Sequence, residues 1–305
     1  MRTPDLSLNE TKPLFEGIRK IEGNHVPKHI IITLIVFLVC NVAYALLRGV
    51  AVAGAYALLH AAGISTSGAN ADLLTALYST AVLILLTFFF VCYAEKRPAY
   101  TMLVRKQNCL HDYLTGAVLG FVMMSAVVLM AWAGGALRFA GTVKASPVLM
   151  IGLFVGWMIQ GFSEEILCRG YLMMSAGTYT HPWVGVGVSA LIFALLHMGN
   201  DGISVFALVN LMLYGTAMSI YMLRTGSIWG AAALHTVWNW AQGNFFGMQV
   251  SGIETNATVL QFSQTGAAEW LGGARFGLEA GAGTTVVLVI ILAVFLAMPQ
   301  RKPKI

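Results

Sequence analysis

Apolar runs long enough to cross a lipid bilayer dominate this chain. The hydrocarbon core is about 30 Å thick and takes roughly 20 helical residues to cross. Runs of this kind lie at about 30–47, 73–93, 114–132, 149–174, 183–198, 203–223, 228–248 and 284–298. Only 10% of the residues are charged and 58% are hydrophobic, whereas a soluble domain carries about 25% charged residues. The expected fold is therefore all-α, a polytopic transmembrane helical bundle of about eight spans.

The spans divide the chain into a polar N-terminal segment (1–29), one transmembrane domain (30–298) and a basic tail (299–305). Residues 14–21 are amphipathic and are expected either to lie on the membrane surface or to form part of a disordered tail. The stretch 49–71, interrupted by Gly and Ser, is expected to be a connection rather than a span. Residues 249–283 are Gly-rich and carry Glu254, Glu269 and Glu279; they are expected to form a flexible loop or a lid.

The net charge of +5 does not point to nucleic acid, because the basic residues are not gathered on a polar domain. They lie in short segments beside spans, where Lys and Arg set topology. With the N-terminus inside, 13 of the 18 Lys and Arg fall on cytoplasmic segments and 4 on outer ones, with Arg169 inside a span. The expected location is thus a cytoplasmic (inner) membrane, with both termini in the cytoplasm. Cys40, Cys92, Cys109 and Cys168 show no metal-ligand spacing, and three of them lie within spans as small hydrophobes.

Against this apolar background, one run stands out: Gly161-Phe-Ser-Glu-Glu-Ile-Leu-Cys-Arg-Gly-Tyr171. A charge at the middle of a spanning helix costs roughly 2.5–3.5 kcal/mol on insertion scales, and such groups are usually paired and functional. Glu165 and Arg169 are four apart and share a helix face, in the favoured order for an ion pair. Glu164 lies about 100° round from Glu165, so one carboxylate can be braced while the other is free for chemistry. Two further polar pairs follow, Phe193-x-x-x-His197 and His235-x-x-x-Asn239. A hairpin turning at 178–182 brings Glu164 and His197 to similar depth, whereas His235 and Asn239 need a tilted span to join them. Helix-to-helix adhesion is the bland alternative for such groups; it suits Asn41 or Asn210 better than five groups at compatible positions on three spans.

A carboxylate in a low-dielectric pocket suits general-base work near neutral pH. Beside a histidine it could orient and deprotonate water, and Asn with a second His could donate to an oxyanion. That set fits amide hydrolysis. Two His and a Glu are also a catalytic zinc set, although His-Glu-x-x-His is absent. Gly-x-Ser-Gly is absent too, and Asp5, Asp72, Asp112 and Asp201 are not placed as an intramembrane aspartyl pair.

Glu164-Glu165-x-x-x-Arg169, Phe193-x-x-x-His197 and His235-x-x-x-Asn239 resemble, in order and spacing, the three motifs of the CAAX-protease and bacteriocin-processing family of intramembrane endopeptidases. The segment Arg224-Thr-Gly-Ser-Ile-Trp229 looks like that family's bacterial members. The resemblance places a catalytic core at about 147–245. It implies Glu164 as the base activating water, His197 as the residue holding that water, and His235 and Asn239 as carbonyl-polarising or oxyanion donors. Glu165 and Arg169 would brace the site. Both metal-dependent and metal-free mechanisms have been argued for the family. No cofactor is the favoured expectation, with zinc or another divalent metal on Glu164, His197 and His235 as the alternative. The implied partners are the lipid bilayer and a peptide or protein substrate: a CAAX-type tail, a leader or a bacteriocin-related peptide. A non-proteolytic scaffold or immunity protein is the rival from another class; a transporter is disfavoured because Gly and Pro do not break paired spans.

Overall fold

The computed structural model describes residues 7–63 and 68–301. The remainder of the basic tail and the first six residues lie outside the described residues. After a short amphipathic helix α1 (Lys12–Arg19) come eight helical rods: α2 (Ile30–Ala61), α3 (Ala69–Ala94), α4 (Cys109–Ala133), α5 (Pro147–Thr178), α6 (Pro182–Leu196), α7 (Val205–Thr225), α8 (Trp229–Trp240) and α9 (Ala282–Ala297). α8 runs on into a π-helical turn, Ala241–Phe245. Each apolar run of the sequence corresponds to one rod. Five of them, α2, α3, α4, α5 and α7, are long and apolar enough to cross a membrane, while α6 and α9 are shorter apolar helices. The protein is an all-α membrane bundle.

Two expectations change. Residues 49–61 are not a connection, because α2 continues through them to Ala61. Gly49 and Gly54 each cost about 1 kcal/mol relative to Ala in a helix, but the surrounding Ala, Leu and Tyr are good or adequate helix formers. The segment 14–21 is also not a disordered tail: α1 covers most of it, and its Leu14, Phe15 and Ile18 are buried. A Cβ at Gly177 would collide with the Phe15 ring, so a glycine at the end of α5 is what lets α1 dock.

Connections gather at two ends. At the first end, Ile228 N–H donates to the Leu103 carbonyl at 3.1 Å and Arg301 N–H to the Arg224 carbonyl at 2.8 Å. Arg301 also pairs with buried Asp112 at 2.7 Å. The floor there is closed by a buried pair, Glu95 and Arg97, 2.7 Å apart; Arg97 donates to Ser175 Oγ at 2.7 Å. Burial pushes the Glu95 carboxyl up, and the neighbouring guanidinium opposes that shift. At the second end a small antiparallel ribbon forms between β1 (Leu137–Thr142) and β2 (Leu260–Gln264).

Close helix contact sets the position of α8. On α4, Gly116 and Gly120 are four apart, the small-residue spacing that lets membrane helices approach closely. A Cβ on Gly120 would lie 2.5 Å from the Leu234 carbonyl oxygen, and one on Gly116 would collide with the Gly230 carbonyl. The residue after Leu234 is His235.

Candidate active site

α5 places its two glutamates in different surroundings. The Glu165 side chain is fully buried, while that of Glu164 is 25% exposed and lines a cavity of about 620 Å³. Glu165 Oε1 accepts from Arg169 at 3.0 Å and from His235 Nδ1 at 3.0 Å. A carboxylate can only accept, so Nδ1 of His235 carries a proton and Nε2 is left toward Glu164 Oε2, 3.7 Å away. Glu165 therefore does more than pair with Arg169: it sets the tautomer and ring plane of a histidine on another helix. The Arg169 guanidinium in turn lies 4.2 Å over the Phe193 ring.

The turn at 179–181 joins α5 to α6 as expected, and α6 ends at its C-cap, His197. There the last carbonyls of the helix have run out of backbone N–H donors. His197 Nδ1 donates to the free Phe193 carbonyl at 2.8 Å, which leaves Nε2 as its acceptor. His197, His235, Asn239 and Glu164 all line the one cavity. α8 reaches it because its start is pinned at Leu103 and its middle is drawn against α4.

Gln160 is the site residue that sequence reasoning missed. Its Nε2 donates to Glu164 Oε1 at 2.7 Å, and its Oε1 accepts from Asn239 Nδ2 at 3.1 Å. One Glu164 oxygen is thereby occupied, whereas Oε2 is buried without a hydrogen-bond partner. The signal was present: Gln160 is one turn before Glu164 on the same face of an apolar helix. Tyr214 was likewise unremarked; its ring packs edge-on to His235 at 5.5 Å.

The segment 249–281 is folded back over the cavity and contributes Ser251, Ile253, Glu254 and Glu279 to its wall. Glu279 Oε2 accepts from Ser251 N–H at 2.6 Å and Ser251 Oγ at 2.7 Å. Asn210 of α7 donates to the Glu279 carbonyl at 2.8 Å. Asn244 accepts from Trp157 Nε1 at 2.7 Å and donates to the Ala257 carbonyl at 2.7 Å. These bonds make the segment a fixed cap.

Among the described residues no group of three His, Cys, Asp or Glu could hold a metal ion. Glu164, His197 and His235 are thus not gathered as a three-ligand set, although the bond of His235 Nδ1 to Glu165 leaves its Nε2, and that of Glu164 Oε1 to Gln160 leaves its Oε2, without a hydrogen bond. The donor set as arranged does not fit a three-ligand zinc centre.

No curated protein matches the chain. Residues 144–241 match the family model described as type II CAAX prenyl endopeptidase Rce1-like, a stretch that contains Gln160, all three motifs and the bonds between them. The stretch that carries this site is thus similar to that family.

Proposed function

We propose that the protein is an intramembrane endopeptidase in which Glu164 activates water to hydrolyse a peptide bond. The observation that carries this reading is the free Glu164 Oε2, facing His235 Nε2 across 3.7 Å, in a cavity shared with His197 and Asn239. A 3.7 Å separation is too long for a direct hydrogen bond and suits a bridging water.

In the reaction, a water held by His197 Nε2 and Glu164 Oε2 loses a proton to Glu164, and its oxygen attacks the substrate carbonyl. Asn239 has one N–H engaged by Gln160, and its second N–H donates to the developing oxyanion. Protonated Glu164 then delivers its proton to the leaving nitrogen as the C–N bond breaks. Glu165 and Arg169 touch no reacting atom; they hold His235 and Phe193. No step is routed through a metal. The 13-to-4 distribution of Lys and Arg supports cytoplasmic termini in an inner membrane.

Comparing membrane peptidomes from cells carrying wild type and Glu164→Ala tests the reading. Product peptides present with wild type and lost in the variant are expected, and their ends identify the substrate. Identical peptidomes would favour a non-proteolytic scaffold or immunity role.

A further inference from the structure

We infer that Tyr214 is a further catalytic residue: its hydroxyl donates a hydrogen bond to the carbonyl oxygen of the scissile bond as that oxygen becomes an oxyanion. The inference rests on the proteolytic reading and supplies a donor which that reading lacks.

The need comes from the tautomer of His235. Nδ1 carries the proton that Glu165 accepts, so Nε2 of the neutral ring is an acceptor. His197 is fixed the same way, with Nδ1 on the Phe193 carbonyl. Glu164, as an ionised base, only accepts. Of these motif residues in the cavity, Asn239 alone has an N–H to spare. An oxyanion is stabilised by donors already aimed at it, and each such donor adds to the rate.

Tyr214 is the other donor in the cavity wall. Its residue lines the cavity, while its hydroxyl is buried and meets no acceptor on the protein. Among the described residues, the other hydroxyl and indole N–H groups of that wall all have partners; Trp157 donates to Asn244, and Trp238 and Ser251 to Glu279. A buried polar group without a partner is rare and calls for a reason. Packing accounts for the ring but not for the hydroxyl, because phenylalanine would fill the same space without a stranded donor.

The hydroxyl is also held in place. The Tyr214 ring lies 5.9 Å from Phe193, 5.5 Å from His235 and 5.7 Å from Trp238, centroid to centroid, so side chains of α6 and α8 clamp it. Next to it on α7, Gly215 backs onto α6, where a Cβ would stand 2.9 Å from the Ala190 Cα. Trp238 is in turn anchored by its bond to Glu279 at 3.3 Å. A fixed donor with no acceptor on the protein is preorganised for an oxygen that arrives with the substrate. As the water oxygen bonds to the carbonyl carbon, the carbonyl π pair moves onto its oxygen, which accepts from Tyr214 and Asn239. The phenolic proton stays on Tyr214, and the electron pair returns to carbon when the C–N bond breaks.

Tyr214→Phe keeps the ring and deletes the donor, which separates the two roles. The test uses purified full-length protein and a peptide recovered from the peptidome comparison. The variant should lose about 10²-fold or more in kcat, with KM changed by less than a few-fold. Its melting temperature should equal or exceed that of wild type, because a stranded buried hydroxyl has been removed. A kcat within a few-fold of wild type, with cleavage still dependent on Glu164, overturns the inference and leaves the protease standing. A fall in kcat together with a fall in melting temperature also overturns it, since that marks a structural hydroxyl. A second measurement compares two inhibitors built on the same peptide. One is a phosphinic analogue with oxygens on its tetrahedral centre, and the other is a reduced analogue with a methylene in place of the carbonyl. Tyr214→Phe should weaken the phosphinic analogue by about the factor lost in kcat/KM and leave the reduced one unchanged. Equal weakening of both overturns the inference. Absence of any Glu164-dependent cleavage by wild type contradicts the protease reading, and the inference falls with it.

Discussion

Gln160 links the two ends of the proposed chemistry: it touches the proposed base, Glu164, and the proposed oxyanion donor, Asn239. As a positioning residue it decides which carboxylate oxygen and which amide N–H remain free. A neutral hydrogen bond contributes about 1 kcal/mol net and one to a charged group about 1.5–3 kcal/mol, so removing both with Gln160→Leu should lower kcat by about tenfold or more. KM should change much less. An unchanged kcat, or a rise in KM alone, would contradict a positioning role; steady-state kinetics on a substrate found by peptidomics provides the measurement. Arg169 acts differently, by compensating a buried charge. Arg169→Ala leaves Glu165 fully buried with His235 as its remaining partner, and breaking such a pair costs about 3–5 kcal/mol. The expected outcome is a large fall in melting temperature in detergent, where wild-type stability would contradict the bracing role.

At the scale of elements, α8 is placed by backbone contact with α4. Gly120→Val should force the helices apart at Leu234, lowering melting temperature and activity together, because His235 moves with its helix. Gly187→Ala, on an open face of α6 with no atom within 4 Å of its Cβ, should leave activity unchanged and raise stability by up to about 1 kcal/mol. Equal behaviour of the two variants would mean that close packing does not set the site. The helices themselves were legible in the sequence, since bilayer thickness imposes a length that an apolar run either meets or misses. The end of α2 was misread because Gly49 and Gly54 signal a break locally, yet Ala-rich sequence around them carries the helix through. The cap was not legible. Its path depends on Glu279 meeting Ser251 and on Asn244 meeting Trp157, pairings between residues 28 and 87 positions apart that no local pattern announces. The ribbon escaped notice for the same reason.

For the whole molecule, three helices bring four polar side chains to one cavity below a fixed cap, and hydrolysis by activated water without a metal is the proposed chemistry. The three motifs disclosed which residues meet, because their spacing fixes faces. They did not disclose that Glu165 grips His235, since that bond depends on how α8 sits against α5. Purified protein should retain its cleavage rate after treatment with a strong chelator and exhaustive dialysis. Loss of activity, with restoration by stoichiometric zinc that is then found bound, would contradict the metal-free chemistry.

The cleavage rate of Glu164→Gln under single-turnover conditions tests the central claim most directly. The substitution keeps the size of the side chain and its acceptor toward Gln160, but removes the base. General-base catalysis typically contributes 10²- to 10⁴-fold, so the rate should fall by about that factor or more while the melting temperature stays near wild type. A correctly folded Glu164→Gln protein that cleaved within a few-fold of the wild-type rate would contradict the account.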